Sequence, residues 1–361
     1  MPTTVSEPPV GAAGLDFSAE ALSALTAATA EASPVHEDRT PATRRVRARL
    51  AFVGVAVRLA QGALVVWAAA TLTFIAVHVA PGDTIDTLLG TNANDPAMRA
   101  QVIREWGLDH PAIVQYLLYF WRCLHGDLGV SYVEHRPVAS LLAEQFPPTV
   151  ELTLWAFAIA LALAATLALT TAGTSRIGRA ISQFFELTVV SAPPFWIGML
   201  LLAVFSFRLG LFPVSGSAGI RAVVLPALAV GLPIGCFLAQ VLREGLDRAL
   251  EQPFALTARA RGLGRFGVKR IHALRHAALP TMTISGLTFG NLLGGAVICE
   301  QVFGRAGIGQ LAVNAINTKD IPVILAIALL AAIVFVVITT TVDLLYLVVD
   351  PRLRGESRWQ G

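Results

Sequence analysis

Six segments of this chain are long and apolar enough to cross a lipid bilayer, and they restrict the fold more than any other feature. A membrane-spanning helix needs about 20 mainly apolar residues. With 55% hydrophobic and 14% charged residues and a mean hydropathy of +0.65, the composition excludes an ordinary soluble globular protein. The sequence predicts an all-α membrane protein, surrounded by lipid, with six transmembrane helices over residues 59–80, 150–172, 181–207, 223–242, 281–302 and 323–346.

The third apolar segment differs from the others because it contains a carboxylate and two adjacent prolines. Glu186 lies near one end, and Pro193 and Pro194 lie in the middle. Proline removes a backbone donor and clashes with the preceding turn, so we predict a kinked or interrupted helix here. For Glu186, pairing with an arginine of a loop and a role in transport remain equally open.

The distribution of basic residues predicts the orientation of the spans. With the N-terminus inside, 19 of the 27 Lys and Arg residues fall in cytoplasmic segments. The sequence therefore predicts a multi-pass protein of the plasma membrane with both termini cytoplasmic. This topology also accounts for the calculated pI of 9.0, so the basic charge is no indication of nucleic-acid binding.

The spans divide the chain into a transmembrane core and polar flanks. Residues 1–43 contain few large apolar side chains and are predicted to be a disordered cytoplasmic tail, and residues 355–361 are predicted to form a second short tail. The core, 44–354, contains one sizeable extracytoplasmic segment, 81–148, with helical patterning over 98–106 and 112–124. It also contains a basic cytoplasmic loop, 246–280.

The basic loop combines helix signals with a stop signal. Pro253 stands where the first turn of a helix tolerates proline, and Gly262 offers a left-handed C-terminal stop. The helix between them places small side chains at Ala255, Ala258 and Ala260, and small side chains allow a partner to approach closely. We therefore predict a short helix between the fourth and fifth spans that binds a partner closely.

At these residues the sequence resembles the cytoplasmic coupling loop, or EAA loop, of ABC importer permeases, and more narrowly the dipeptide/oligopeptide/nickel class. The matching stretches read TARARGL and HALRHAALP, although Leu256 stands where the general family has Glu. Four further motifs resemble those of the peptide-permease B-type subunits. They are the external P-G-D turn after the first span, G-L-D-H-P, G-D-L-G and the C-terminal V-D-L-L-Y. The resemblance extends over about residues 58 to 354.

This resemblance implies a type I ABC importer permease fold and a division of labour among subunits. The chain would pair with a homologous second permease, two ATPase subunits and an extracytoplasmic substrate-binding protein. ATP and Mg would be bound by the ATPase subunits, with no cofactor in this chain. The residues that would couple to the ATPase are Ala255, Thr257, Ala258, Arg259, Ala260, Arg261, Gly262, Leu263 and Pro280.

Polar and small residues inside the spans are candidates for the substrate path. Gly286, Gly290 and Gly294 recur at four-residue spacing, which favours close helix packing and also suits a path. Glu300 closes the fifth span and is predicted to rim the path. For the deeper amides, lining the path and bonding between helices remain equally open. The path candidates are Gln240, Asn291, Gly290, Gly294 and Glu300.

No motif for ATP hydrolysis or metal catalysis is present in the sequence. Gly262 and Gly267 have the separation of two P-loop glycines, but Val268 stands where the lysine is needed. The chain is therefore not predicted to be an enzyme. The favoured substrate is a peptide, because the spans offer amide and hydroxyl groups rather than clustered metal ligands. A nickel or chelated-metal permease remains the alternative, followed by a secondary transporter, a channel or an intramembrane enzyme.

Overall fold

The computed structural model describes residues 41–80, 85, 89, 96–106, 110–217 and 219–349. The predicted tails 1–43 and 355–361 lie largely or wholly outside these residues, as do the P-G-D turn and most of the G-L-D-H-P motif. The chain divides into two units, Met1–Val57 and Arg58–Gly361, and the candidate site residues lie in the second. The described residues are mainly helical, with an isolated β-bridge between Val130 and Pro137.

The helices follow the order of the predicted apolar segments. The first six are α1 (Pro41–Val79), α2 (Pro96–Trp106), α3 (Ala112–Leu124), α4 (Val138–Thr171), α5 (Arg176–Ser191) and α6 (Pro194–Leu201), the last continued by π-helical turns over Leu202–Arg208. The others are α7 (Ile220–Leu250), α8 (Pro253–Ala260), α9 (Arg265–Val268) with π-helical turns over Lys269–Ala273, α10 (Leu274–Val302), α11 (Ile308–Thr318) and α12 (Ile321–Val349).

Among the described residues, four helices are each long and apolar enough to cross a membrane, and the number is six if each of two bent helix pairs forms one span. The third span is broken by 101° between Arg176–Ser191 and Pro194–Arg208, which confirms the predicted interruption at the double proline. The fifth bends by 54° between Pro280–Gly290 and Gly294–Val302. The prediction of an all-helical chain is thus confirmed for the residues described.

The core lies where α4, α6, α7 and α10 meet. Leu152, Ile197, Val223 and Leu292 are among its buried members. The approach of α7 to α4 is close, since a Cβ built on Gly231 would lie 2.6 Å from the Ala156 carbonyl oxygen. Small residues allow such backbone proximity in membrane helices, so α4 and α7 pack closely at the centre of the bundle.

Candidate coupling loop and substrate path

The helix α8 ends in the hydrogen-bond pattern of a Schellman motif. The Leu263 N–H donates to the Ala258 carbonyl at 3.2 Å, and the Gly262 N–H donates to the Arg259 carbonyl at 2.9 Å. Gly262 has φ +86°, the left-handed conformation expected for it. No described heavy atom lies within 4 Å of a Cβ built on Gly262, so the backbone conformation alone requires glycine here.

One face of α8 is buried against its own chain. Ala255 is 0% exposed and Ala258 is 6% exposed, and both pack against Val268 with Phe254 and Leu263 at the edge. The prediction that these two alanines offer a small face to a partner is therefore wrong. Their small size instead lets α8 lie close to the following turn, because a larger side chain would separate the two segments.

The opposite face of α8 is open. Leu256, the residue in the place of the family's Glu, is 72% exposed. Thr257 is exposed too, although its hydroxyl donates to the Pro253 carbonyl at 3.2 Å. The remaining exposed members of the predicted set, Arg259, Ala260, Arg261 and Gly262, extend this surface past the end of the helix.

The structure shortens the predicted loop. Since α7 continues to Leu250 and α10 begins at Leu274, the connection is 251–273 rather than 246–280. Pro280 lies inside α10 and marks no boundary between loop and helix. Proline is tolerated inside a membrane helix because neighbouring groups satisfy the freed backbone carbonyl.

The loop is attached to both adjoining spans. The ring of Phe254 stacks on the ring of His276 with centroids 4.9 Å apart. A Cβ built on Gly245 would lie 3.0 Å from the Ala277 Cβ, so α7 and α10 are nearly in backbone contact beside the loop. The loop helix α8 thus contacts α10 directly, and α10 packs closely against α7 beside it.

Two charged groups tie the loop region to α4 and α5. Lys269 donates to the Leu169 carbonyl at 3.1 Å, and burial lowers the pKa of its ammonium group. Asp247 accepts from the Gly173 N–H at 2.8 Å and from Arg179 at 2.6 Å. The ends of four elements are thus held together at the same level of the bundle.

A buried ion pair lies further along α7. Arg243 donates to both carboxylate oxygens of Glu186 at 2.6 Å, and Ser182 donates to the same carboxylate at 2.7 Å. The pairing predicted as one of two options for Glu186 is confirmed, although its partner lies on a helix rather than in a loop. The roles of Arg243, Asp247 and Lys269 could not be predicted from the sequence. Arg243 and Lys269 are two of eight basic residues between Arg243 and Arg275, and Asp247 is one of three carboxylates in the same stretch.

Gln240 lies one turn from this pair at the wall of a cavity of about 450 Å³. Its Nε2 atom is buried and forms no hydrogen bond within the described part of the chain. The other lining residues are polar or charged apart from Leu187, namely Arg179, Gln183, Arg243, Glu244 and Asp247. Of the predicted path residues, Gln240 is therefore the one that lines this cavity.

Glu300, predicted to rim the path, is 0% exposed. Its carboxylate accepts from the Thr149 hydroxyl at 2.6 Å and from the N–H groups of Gly309 and Gln310 at 2.7 and 3.4 Å. A carboxylate at the first turn of a helix is favourable because the N–H groups there are otherwise unpaired. In this structure Glu300 caps α11, and the predicted rim position is wrong.

The glycine face of α10 has two different surroundings. A Cβ on Gly286 would lie 2.6 Å from a methyl carbon of Val342, and one on Gly290 would touch Phe335 at 3.4 Å, so both support packing against α12. Gly294 is exposed, and no described heavy atom lies within 4 Å of a Cβ built on it. The side chain of Asn291 lies outside the described residues.

Comparison with known proteins finds sequence relatives that are named as transport subunits. A family model described as binding-protein-dependent transport system inner membrane component matches residues 146–355. The glutathione transport system permease protein GsiC of Salmonella choleraesuis strain SC-B67 is 36% identical, over 79% of this chain and 93% of the relative. A putative peptide transport system permease protein of Brucella abortus strain 2308 is 34% identical, over 82% and 97%. A solved structure of the MetNI methionine ABC transporter in an inward-facing conformation has 21% identity and a TM-score of 0.46, over 58% of this chain and 96% of that chain.

Proposed function

Because the chain belongs to the family of binding-protein-dependent transport system inner membrane components, we propose that it is the permease subunit through which an ATP-driven importer moves peptides across the plasma membrane. The family match and the helical spans confirm the predicted type I ABC importer permease fold. The chain is a transport subunit, and ATP with Mg is bound and hydrolysed by partner ATPase subunits. A second permease and an extracytoplasmic binding protein complete the complex.

The observation that carries this proposal is the coupling loop. A short helix with an apolar Leu256, 72% exposed, and exposed arginines at Arg259 and Arg261 forms a surface suited to a protein partner. The inner face of the same helix packs against the rest of the loop through Ala255 and Ala258. We therefore expect α8 and the following turn to move together when a partner pushes on the outer face. We assign this outer face, formed by Leu256, Thr257 and residues 259–262, to contact with an ATPase subunit.

Transmission to the membrane follows from the attachments of the loop. Phe254 stacks on His276 of α10, and the close approach of Gly245 to Ala277 couples α7 to α10. Closure of the ATPase pair on ATP would move α8 and turn these spans, which opens the path outward, and hydrolysis would return it inward. Such a cycle requires that ATP binds the closed state more tightly than the open state.

Peptide as the substrate class is supported by the named relatives and by the lining of the cavity. GsiC is named a glutathione transport permease, and the Brucella relative a putative peptide transport permease. Gln240 and Gln183 offer amide groups that can exchange hydrogen bonds with a peptide backbone without reading its side chains. We propose Gln240 and the open side of Gly294 as path residues.

The test is uptake by cells that lack this subunit and are complemented with the intact gene. Restored import of a labelled oligopeptide is expected, and Gln240→Leu should raise the concentration required for half-maximal uptake while leaving the amount of assembled complex unchanged. Restored nickel accumulation without peptide import would contradict the peptide assignment and favour the chelated-metal alternative. A complex that transports peptide normally with Gln240→Leu would remove that residue from the path.

A further inference from the structure

The helix α3, Ala112–Leu124, lies in the segment predicted to be extracytoplasmic, yet its apolar side is turned away from the protein. Ile113, Leu117, Trp121 and Leu124 follow the spacing of one helix face and are 63%, 60%, 64% and 80% exposed. In water, an amphipathic helix buries such a face against its own chain. Here the apolar face is left open along the whole helix.

The opposite arc of α3 is polar and faces the protein. Gln115, Tyr116, Tyr119 and Cys123 lie on this arc, and each is partly covered. The Tyr116 hydroxyl is hydrogen-bonded to the Thr71 hydroxyl at 2.8 Å, and its ring meets Phe74 edge-on with centroids 5.3 Å apart. A helix that turns its polar side toward the protein and its apolar side outward has the arrangement that surrounding lipid favours.

The contact with Thr71 also fixes the depth of α3. Thr71 lies eight residues before the end of the first span, Ala60–Val79, which is about 12 Å at 1.5 Å per residue. One leaflet of the hydrocarbon core is about 15 Å thick. The middle of α3 is therefore attached to the span within the depth of a leaflet, not beyond its surface.

At the depth of the Thr71 contact, the first span is itself largely exposed on the surface of the chain. Only 11% of the first span is buried inside the chain, and Leu72, next to the Thr71 contact, is 66% exposed. Trp121, more than one turn nearer the C-terminal end of α3 than Tyr116, is a residue type enriched where a helix meets the membrane–water boundary. Beyond α3, the chain reaches a turn at Gly126–Gly129 and the polar loop 131–136, so the segment leaves the apolar zone at its C-terminal end.

We infer that α3 is embedded in the outer leaflet of the membrane, with the face formed by Ile113, Leu117, Trp121 and Leu124 against lipid acyl chains. The first external segment then returns into the outer leaflet at α3 and leaves it after Leu124. The inference is independent of the substrate, because it depends only on the contact between α3 and the first span. The choice of leaflet follows from the orientation predicted by the basic residues.

The experiment is nitroxide accessibility in the assembled complex, reconstituted into vesicles of phosphatidylethanolamine and phosphatidylglycerol. Cys123 is replaced by serine, while Cys236 and Cys299, both 0% exposed, remain in place. Labels are introduced by Leu117→Cys and, separately, Trp121→Cys, so that failure of one variant to assemble leaves the other. Leu72→Cys on the first span is the reference within lipid, and Glu134→Cys on the polar loop is the reference in water.

Labels at Leu117 and Trp121 should collide with oxygen as often as the label at Leu72, and with a water-soluble nickel chelate much less often than the label at Glu134. A nickel-chelate accessibility equal to that at Glu134 would overturn the inference and place α3 in water. Low accessibility to both reagents would also overturn it, since the face would then be covered by another subunit. Peptide uptake by the same labelled complexes shows whether the transport proposal holds whatever the position of α3.

Discussion

Glu186 and Arg243 form a two-point ion pair between the broken third span and α7, with both oxygen–nitrogen distances at 2.6 Å. The two side chains are 0% and 4% exposed. This pair joins the span that carries the double-proline break to the helix that continues toward the coupling loop. It therefore connects two elements that must keep a fixed relation if movement of the loop is to reach the path.

Removing one member of the pair should destabilise the subunit strongly. Glu186→Gln leaves a buried guanidinium without its counter-charge, which costs about 3 to 5 kcal/mol in comparable sites. The midpoint of thermal unfolding of the purified complex should fall clearly. The matched control is Arg179→Ala, which breaks a partly exposed pair with Asp247 and should cost at most about 1 kcal/mol. Equal shifts for the two variants would contradict the structural role assigned to Glu186.

Gly262 should tolerate only residues that adopt a left-handed backbone easily. Gly262→Ala adds a Cβ at φ +86°, with a strain of about 1 kcal/mol or more, and Gly262→Trp adds a bulky group on the face assigned to the ATPase. Both variants should insert normally, and substrate-stimulated ATPase activity should fall moderately for Ala and be lost for Trp. Gly264→Ala is the control, since Gly264 has φ −65° and no described atom within 4 Å of an added Cβ. Wild-type stimulation with Gly262→Trp would remove this loop from the mechanism.

Glu300 should affect assembly and not substrate preference. Glu300→Gln removes the charge that accepts from Thr149 and the first turn of α11, and hydrogen bonds to a charged group are worth about 1.5 to 3 kcal/mol. We expect lower stability of the complex, with the relative uptake of different peptides unchanged among the molecules that assemble. A changed order of preference at wild-type stability would restore Glu300 to the path.

The orientation predicted from the basic residues can be tested by labelling from outside intact cells. A cysteine at Glu134 should react with a membrane-impermeant maleimide, whereas one at Gly267 should react only after the membrane is opened. Both positions lie outside the candidate spans. Labelling of Gly267 from outside would reverse the topology and with it the assignment of 251–273 as a cytoplasmic loop.

Local features of this protein could be predicted from the sequence because they depend on neighbouring residues. The break at Pro193-Pro194 follows from proline chemistry, and the stop at Gly262 follows from the need for positive φ. The burial of Ala255 and Ala258 depends on Val268, which lies in the next turn of the loop and whose position no periodicity reveals. The role of Glu300 could not be predicted either, because it depends on a turn that brings the Gly309 N–H back to the carboxylate. In the sequence, a carboxylate at the end of a span looks the same whether it caps a helix or rims a path.

The central claim is that this chain conducts peptides and that ATP hydrolysis by its partners drives them through it. The most direct measurement is accumulation of a labelled oligopeptide in vesicles that contain the purified complex, with the binding protein and peptide on one side and ATP with Mg on the other. The account predicts accumulation that requires hydrolysable ATP and disappears with Gly262→Trp. Accumulation driven by an ion gradient without the ATPase subunits, and unaffected by that substitution, would contradict it and identify a secondary transporter.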